Sequence, residues 1–165
     1  MPRLSPADAA QNLYQIISRS LSGAGLEDYG LSVSREQGDR ILRELLSLCF
    51  FWAWAALDAN LSDKVRDRVS EALVQRVRDA WASELGLPPD DLAEYPAELA
   101  QRRRLYESLA REGADPAAVA AEAAGLIETE SIIEPEDRLK LLALMIDLVP
   151  ADELGEAVKG WEILG

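Results

Sequence analysis

Apolar residues recur at three- and four-residue intervals along nearly the whole chain, and the segments they mark are punctuated by helix caps, prolines and glycines. Ser5-Pro6 with Asp8 has the form of an N-cap, a proline at the first helical position and an acid in the first turn. It predicts a helix carrying Leu13, Ile16, Ile17 and Leu21 that ends at Gly23 and Gly25. Ser34-Arg35-Glu36-Gln37 has the capping-box form and opens a second helix through Ile41, Leu42, Leu45, Leu48, Cys49 and Trp52. Asn60-Leu61-Ser62 interrupts it, and Ser62 is placed to cap a third helix carrying Val65, Val69, Leu73, Val77, Ala80 and Trp81 before Gly86. After the break at Leu87-Pro88-Pro89-Asp90, a helix starts near Pro96 and runs through Leu99, Tyr106 and Leu109 to Gly113. Asp115-Pro116 begins an alanine-rich helix whose small residues allow a neighbour to approach closely. Glu134-Pro135-Glu136-Asp137 begins the next, with Leu139, Leu142, Ile146 and Val149 on one side and Leu141, Met145 and Leu148 beside them, both sides reading as buried. Pro150 starts a last short helix with Leu154, Val158 and Trp161. No stretch alternates as a strand does. The expected fold is all-α: a single-domain bundle over residues 1–165, with about six or seven helices around a central hydrophobic helix.

That central helix contains Leu45 to Leu57, which holds two phenylalanines and two tryptophans without one charge. A membrane-spanning helix needs about 20 apolar residues to cross about 30 Å, whereas this stretch reaches roughly 20 Å. Arg40, Arg43 and Glu44 before it and Asp58 after it bound its apolar length. An all-round buried helix is therefore expected, with no membrane span. Trp52 and Trp54 cover more than one helical face, and aromatics are enriched in interface cores, so these two are the candidates for a subunit or partner contact.

Composition sharpens the picture only in places. A chain of 165 residues that is 48% hydrophobic and 28% charged suits one folded domain, which buries roughly 70% of the unfolded chain's surface. The single cysteine, Cys49, has no intramolecular disulfide partner and lies inside the apolar run, which favours a packing role and a reducing, cytoplasmic setting. The start, MPRLSPADAAQ, lacks the apolar stretch of a secretory signal. The formal charge of −13 is uneven: residues 1–60 and 61–113 each carry −2, and residues 114–165 carry −9. Such an acidic third repels nucleic acid and anionic lipid and attracts cations or a basic protein, although the same charge also serves solubility alone.

Histidine is absent, which excludes Ser-His-Asp and Cys-His nucleophile pairs, zincin motifs and His-dependent di-iron sites within this chain. No glycine-rich phosphate-binding motif follows a strand. Paired carboxylates are the remaining route to catalysis. Arg102-Arg103-Arg104 sits on one helix and points in three directions about 100° apart, which reads as a solvated face and not as a nucleic-acid contact.

Laid on itself at an offset of 72 residues, the chain pairs Asp58-Ala59-Asn60-Leu61-Ser62 with Glu130-Ser131-Ile132-Ile133-Glu134, and Arg66 with Arg138. Duplication of a helical hairpin produces such a match; so does chance at this level of identity. The arrangement of helix, acidic turn and helix resembles the tellurite-resistance TerB-like family, all-helical domains whose halves each carry an alanine-rich helix, an Asp-Gly turn and an acidic helix start. Glu130-Ser131 stands where the family has Asp-Gly, Ile133 at its apolar turn position, and Glu134, Glu136 and Asp137 at its acidic positions. In the first half Asp58 and Ser62 fit, but Ala59 replaces the glycine and Lys64-Val65 replace the acids. The resemblance covers roughly residues 40 to 80 and 116 to 158. It implies a non-catalytic, divalent-cation-responsive domain acting through partners in stress-related assemblies.

Three functions are therefore expected, in order. The first is a non-enzymatic cytoplasmic protein-interaction domain that uses the acidic last third or Trp52 and Trp54, with a basic protein or a second copy as partner. The second is a divalent-cation module with Glu130, Glu134, Glu136 and Asp137 as Ca²⁺ or Mg²⁺ ligands, against which stands the ordinary stabilisation of acids in a helix's first turn. The third is a carboxylate-dependent enzyme. No cofactor is otherwise expected.

Overall fold

The tryptophan-rich stretch is apolar on more than one side because the helix that carries it, α2 (Arg35–Asn60), serves two cores. Leu46, Cys49, Phe50, Ala53 and Leu57 enter one, and Ile41, Leu45, Leu48 and Phe51 enter the other. The computed structural model describes residues 3–22 and 25–165, and over these the chain is all-helical apart from one very short strand pair.

The first core is completed by α1 (Pro6–Leu21), α3 (Asp63–Ala80) and α7 (Ala151–Val158), with Leu13, Ile17, Val69, Leu73, Leu154 and Val158 among its buried residues. The second is completed by α5 (Pro116–Thr129) and α6 (Arg138–Leu148), through Val119, Ala123, Ile127, Leu141, Leu144 and Met145. The alanines of α5 have the expected effect: Ala120, Ala123 and Ala124 are buried in the seam. A side chain at Gly125 would stand 3.3 Å from the Arg138 guanidinium. The remaining helix, α4 (Tyr95–Arg111), lies over the third side of α2.

Local chemistry sets the helix starts. Ser5 accepts from the Asp8 N–H at 3.1 Å, and Asp115 from the Ala118 N–H at 2.9 Å. The capping box of α2 is complete, with Gln37 Oε1 accepting from the Ser34 N–H at 2.8 Å and Ser34 Oγ from the Gln37 N–H at 3.2 Å. Ser62 occupies the N-cap of α3 but its side chain makes no cap bond. α1 ends at Leu21; Gly23 lies outside the described residues, and Gly25 opens a 3₁₀ turn, Leu26–Tyr29.

Three sequence expectations change. Leu139 and Ile146 are not buried: they are 75% and 48% exposed, because α6 packs with only the Leu141, Leu144, Met145 and Leu148 side inward. α7 stops at Val158, so Trp161 follows the helix and packs against the first core from the outside. Finally, β1 (Arg3–Leu4) and β2 (Glu162–Ile163) form a parallel pair, in register Arg3 with Glu162 and Leu4 with Ile163. Two residues are too few to show alternation, so the sequence carries no trace of it.

Candidate functional site

The third face of α2 is polar, and it is where the charged residues preceding the apolar stretch go. Arg40, Glu44 and Ser47 are buried there, beneath α4. The connection from α3 to α4 is anchored by the Trp81 indole, which donates to the Pro88 carbonyl at 2.8 Å and lies 4.9 Å from the Tyr95 ring. This anchoring sets Tyr95 against α2, with its hydroxyl 3.2 Å from Ser47 Oγ. Two and three turns further on, Arg102 and Tyr106 reach Glu44.

Glu44 is 1% exposed and fully engaged. It accepts from Arg40 Nη2 at 3.0 Å, from Arg102 Nε at 2.9 and 3.1 Å, and from the Tyr106 hydroxyl. Arg40 also binds Glu130 at the end of α5 in a two-toothed grip, Nε to Oε1 at 3.0 Å and Nη2 to Oε2 at 2.6 Å. Arg102 Nη2 lies 3.7 Å from the same carboxylate. Two guanidinium cations thus face two carboxylates, tying α2, α4 and α5 together. Burial opposes the charge on Arg40, but the hydrogen bonds and charges of Glu130 and Glu44 outweigh it and raise its pKa. Burial first, then the charge of Glu44 and the bond to it, hold the Tyr106 hydroxyl protonated well above the usual tyrosine range. Glu44 is saturated with donors and closed to solvent, so it is no free base.

This cluster reassigns several residues. Arg102 turns inward; of the three consecutive arginines, only Arg103 and Arg104 face outward. The candidate cation ligands do not converge: Glu130 is committed to Arg40 and Arg102, Asp137 lies 3.3 Å from Lys140 Nζ, and Glu134 and Glu136 are exposed. Among the described residues, no group of three or more Cys, Asp or Glu side chains is placed to hold a metal ion.

The two tryptophans stand in different surroundings, and both are half-buried. Trp54 lies beneath two guanidinium groups, Arg66 at 5.2 Å and Arg103 at 5.1 Å from the ring centre. Trp52 meets Phe51 edge-on at 4.9 Å and lines a small hollow together with Pro116, Ala117, Ile146 and Val149. Cys49 is fully buried, and burial drives its thiol pKa far up, as a packing role requires.

No family model, curated protein or solved structure matches the chain. The TerB-like likeness therefore rests on its residues alone. In the turn after α5, Ser131 has φ 60°, the left-handed conformation that favours glycine. At the corresponding position in the first half, Ala59 is still inside α2. Asp58 binds Arg66 at 2.6 Å, whereas the equivalent Arg138 binds Glu128 instead of Glu130, at 3.4 Å.

Proposed function

We propose that this chain is a non-enzymatic protein-interaction domain that docks a basic, amphipathic partner helix on the outer side of α6 and the adjoining hollow over Trp52. One observation carries the reading. Of the three large hydrophobic side chains exposed among the described residues, two, Leu139 and Ile146, lie two helical turns apart on α6, with half-buried Leu142 between them. Ile146 joins this strip to the hollow that Trp52 also lines. A partner helix with apolar residues at matching spacing would cover such a strip.

Charge indicates the partner's flanks. Glu134 and Glu136 stand exposed before α6 and Asp147 near its end, within the third of the chain that carries −9, against Arg138 and Lys140 on the same helix. The absence of histidine and the saturation of Glu44 support a binding role over a catalytic one. The stress-related partner role implied by the TerB-like resemblance agrees with it.

The test is an NMR titration with two synthetic amphipathic helices, one of leucine and lysine and one of leucine and glutamate. The lysine peptide should perturb Leu139, Leu142, Ile146 and Trp52, and the glutamate peptide should not. Ile146→Asp separates apolar docking from mere charge attraction, because it adds an anion yet removes apolar contact: binding should weaken. Stronger binding to Ile146→Asp, perturbations centred elsewhere, or a self-association that this substitution abolishes would each refute the reading.

A further inference from the structure

A different face of the molecule holds a cavity that this reading does not use. α3 and α4 both pack on α2 but scarcely touch each other, and between them lies a space of about 250 Å³. Phe50, Phe51 and Trp54 wall it from α2, Leu73 and Val74 from α3, and Leu99 from α4. It stays open because α4 contributes the short side chains Pro96 and Ala100 at this level. An apolar cavity of roughly 150 Å³ takes up benzene, so this one has room for a fused ring pair or a medium-length alkyl chain.

Its polar features gather at one end. Arg103 lines the cavity and also the groove of about 480 Å³ that continues from it between α3 and α4. That groove carries Arg66 and Arg78 as cations and Asp67 and Glu71 as anions. Arg66 is spent on Asp58, Asp63 and Asp67. Arg103 and Arg78 form no ion pair among the described residues, in a protein whose formal charge is −13. Arg103 is held over the Trp54 ring, a cation–π contact that uses none of its N–H donors. Ser70 lines both spaces, and its hydroxyl is buried without a hydrogen-bond partner, as is the indole nitrogen of Trp54. Orphan polar atoms in an apolar wall are costly, and a turn of the Ser70 side chain toward a ligand acceptor removes the cost there.

We infer that the cavity between α2, α3 and α4 binds an apolar monocarboxylate, its ring or alkyl chain among Phe50, Trp54, Leu73 and Leu99 and its carboxylate on Arg103. Rotation of the Ser70 side chain about its Cα–Cβ bond, which brings the hydroxyl toward the mouth, supplies a second donor. Arg103 confers selectivity for the anion, and the aromatic wall confers selectivity for an apolar body.

Octanoate and 1-octanol are the probes, of similar length and differing in the head group. Calorimetry gives the affinities, and the Trp54 indole N–H resonance locates the ligand. Octanoate should bind saturably, shift that resonance and exceed octanol by about tenfold or more. Arg103→Gln, at an exposed position, should bring octanoate down to the octanol level and leave octanol unchanged. Ala100→Leu, which fills the cavity, should weaken both. Equal binding of the two probes, octanoate affinity indifferent to Arg103→Gln, or no binding of either probe overturns the inference. The outer side of α6 is untouched by these variants, so the outcome is independent of the docking proposal.

Discussion

Replacing Glu44 by glutamine removes one charge from the buried cluster while keeping size and shape. In the folded protein Glu44 accepts from Arg40, Arg102 and Tyr106 and is 1% exposed, so the substitution leaves two guanidinium groups short of a carboxylate where water does not reach. Breaking a buried ion pair in this way costs about 3–5 kcal/mol. For a chain of this size that corresponds to a fall in Tm of about 6–20 °C. Glu130 binds the same Arg40 with equally good geometry, but its side chain is 41% exposed, so water compensates its loss and Glu130→Gln should cost about 1 kcal/mol. Urea unfolding followed by tryptophan fluorescence gives both values, with unchanged m confirming that stability alone has moved. The triple variant Arg40→Met, Glu44→Leu, Arg102→Met, which replaces the cluster by apolar side chains, should recover much of the loss. A cost below about 1 kcal/mol for Glu44→Gln, or equal costs for the two glutamates, would show that burial does not govern this cluster.

Two further outcomes follow from the same geometry. Burial raises the pKa of Tyr95, Tyr106 and Cys49 above their ordinary values, so the unfolded chain releases these protons first as pH rises. Stability from these groups is complete below their unfolded values and is lost through the alkaline range up to the folded ones, by at most about 1.4 kcal/mol per pH unit for each group. Urea midpoints measured from pH 8 to 11 should therefore begin to fall near pH 9, where the unfolded thiol ionises, and fall more steeply above about pH 10, and a flat profile there would contradict the burial of these groups. Millimolar Ca²⁺ or Mg²⁺ should leave Tm unchanged, because Glu130 is already occupied by guanidinium groups and Glu134 and Glu136 do not converge with it. A rise equivalent to about 2.7 kcal/mol, as expected at 100 times the dissociation constant, would restore the cation reading.

The helices were legible because their signals are local. Ser5, Ser34 and Asp115 make the cap bonds that their positions predict, and the periodic apolar residues of α1, α2 and α3, apart from Val65, are the ones that pack. What escaped the sequence depends on partners far along the chain. Arg40 and Glu44, four residues apart at the edge of an uncharged run, signal a pair on one face. Their burial, however, is decided by Arg102 and Tyr106, 58 and 62 residues away from Glu44. Arg102 read as solvated because a charged residue on an amphipathic helix normally is, and nothing local distinguishes it from Arg103 and Arg104. Leu139 and Ile146 show the opposite failure. Periodicity marks α6 as apolar on two sides, but it does not say that the protein supplies a neighbour for only one of them.

The pairing of Arg3–Leu4 with Glu162–Ile163 brings the two extremities of the described chain to a single point, reinforced by the Leu164 N–H donating to the Leu4 carbonyl at 2.8 Å. Adjacent strands lie about 4.8 Å apart, but the pair is parallel, so the chain arrives at the Arg3 end and departs past Ile163 at the opposite end. Spliced into a larger polypeptide, the bundle would therefore sit like a bead on a thread, in a host segment that keeps its heading, and would not fit a tight reversal of the host backbone.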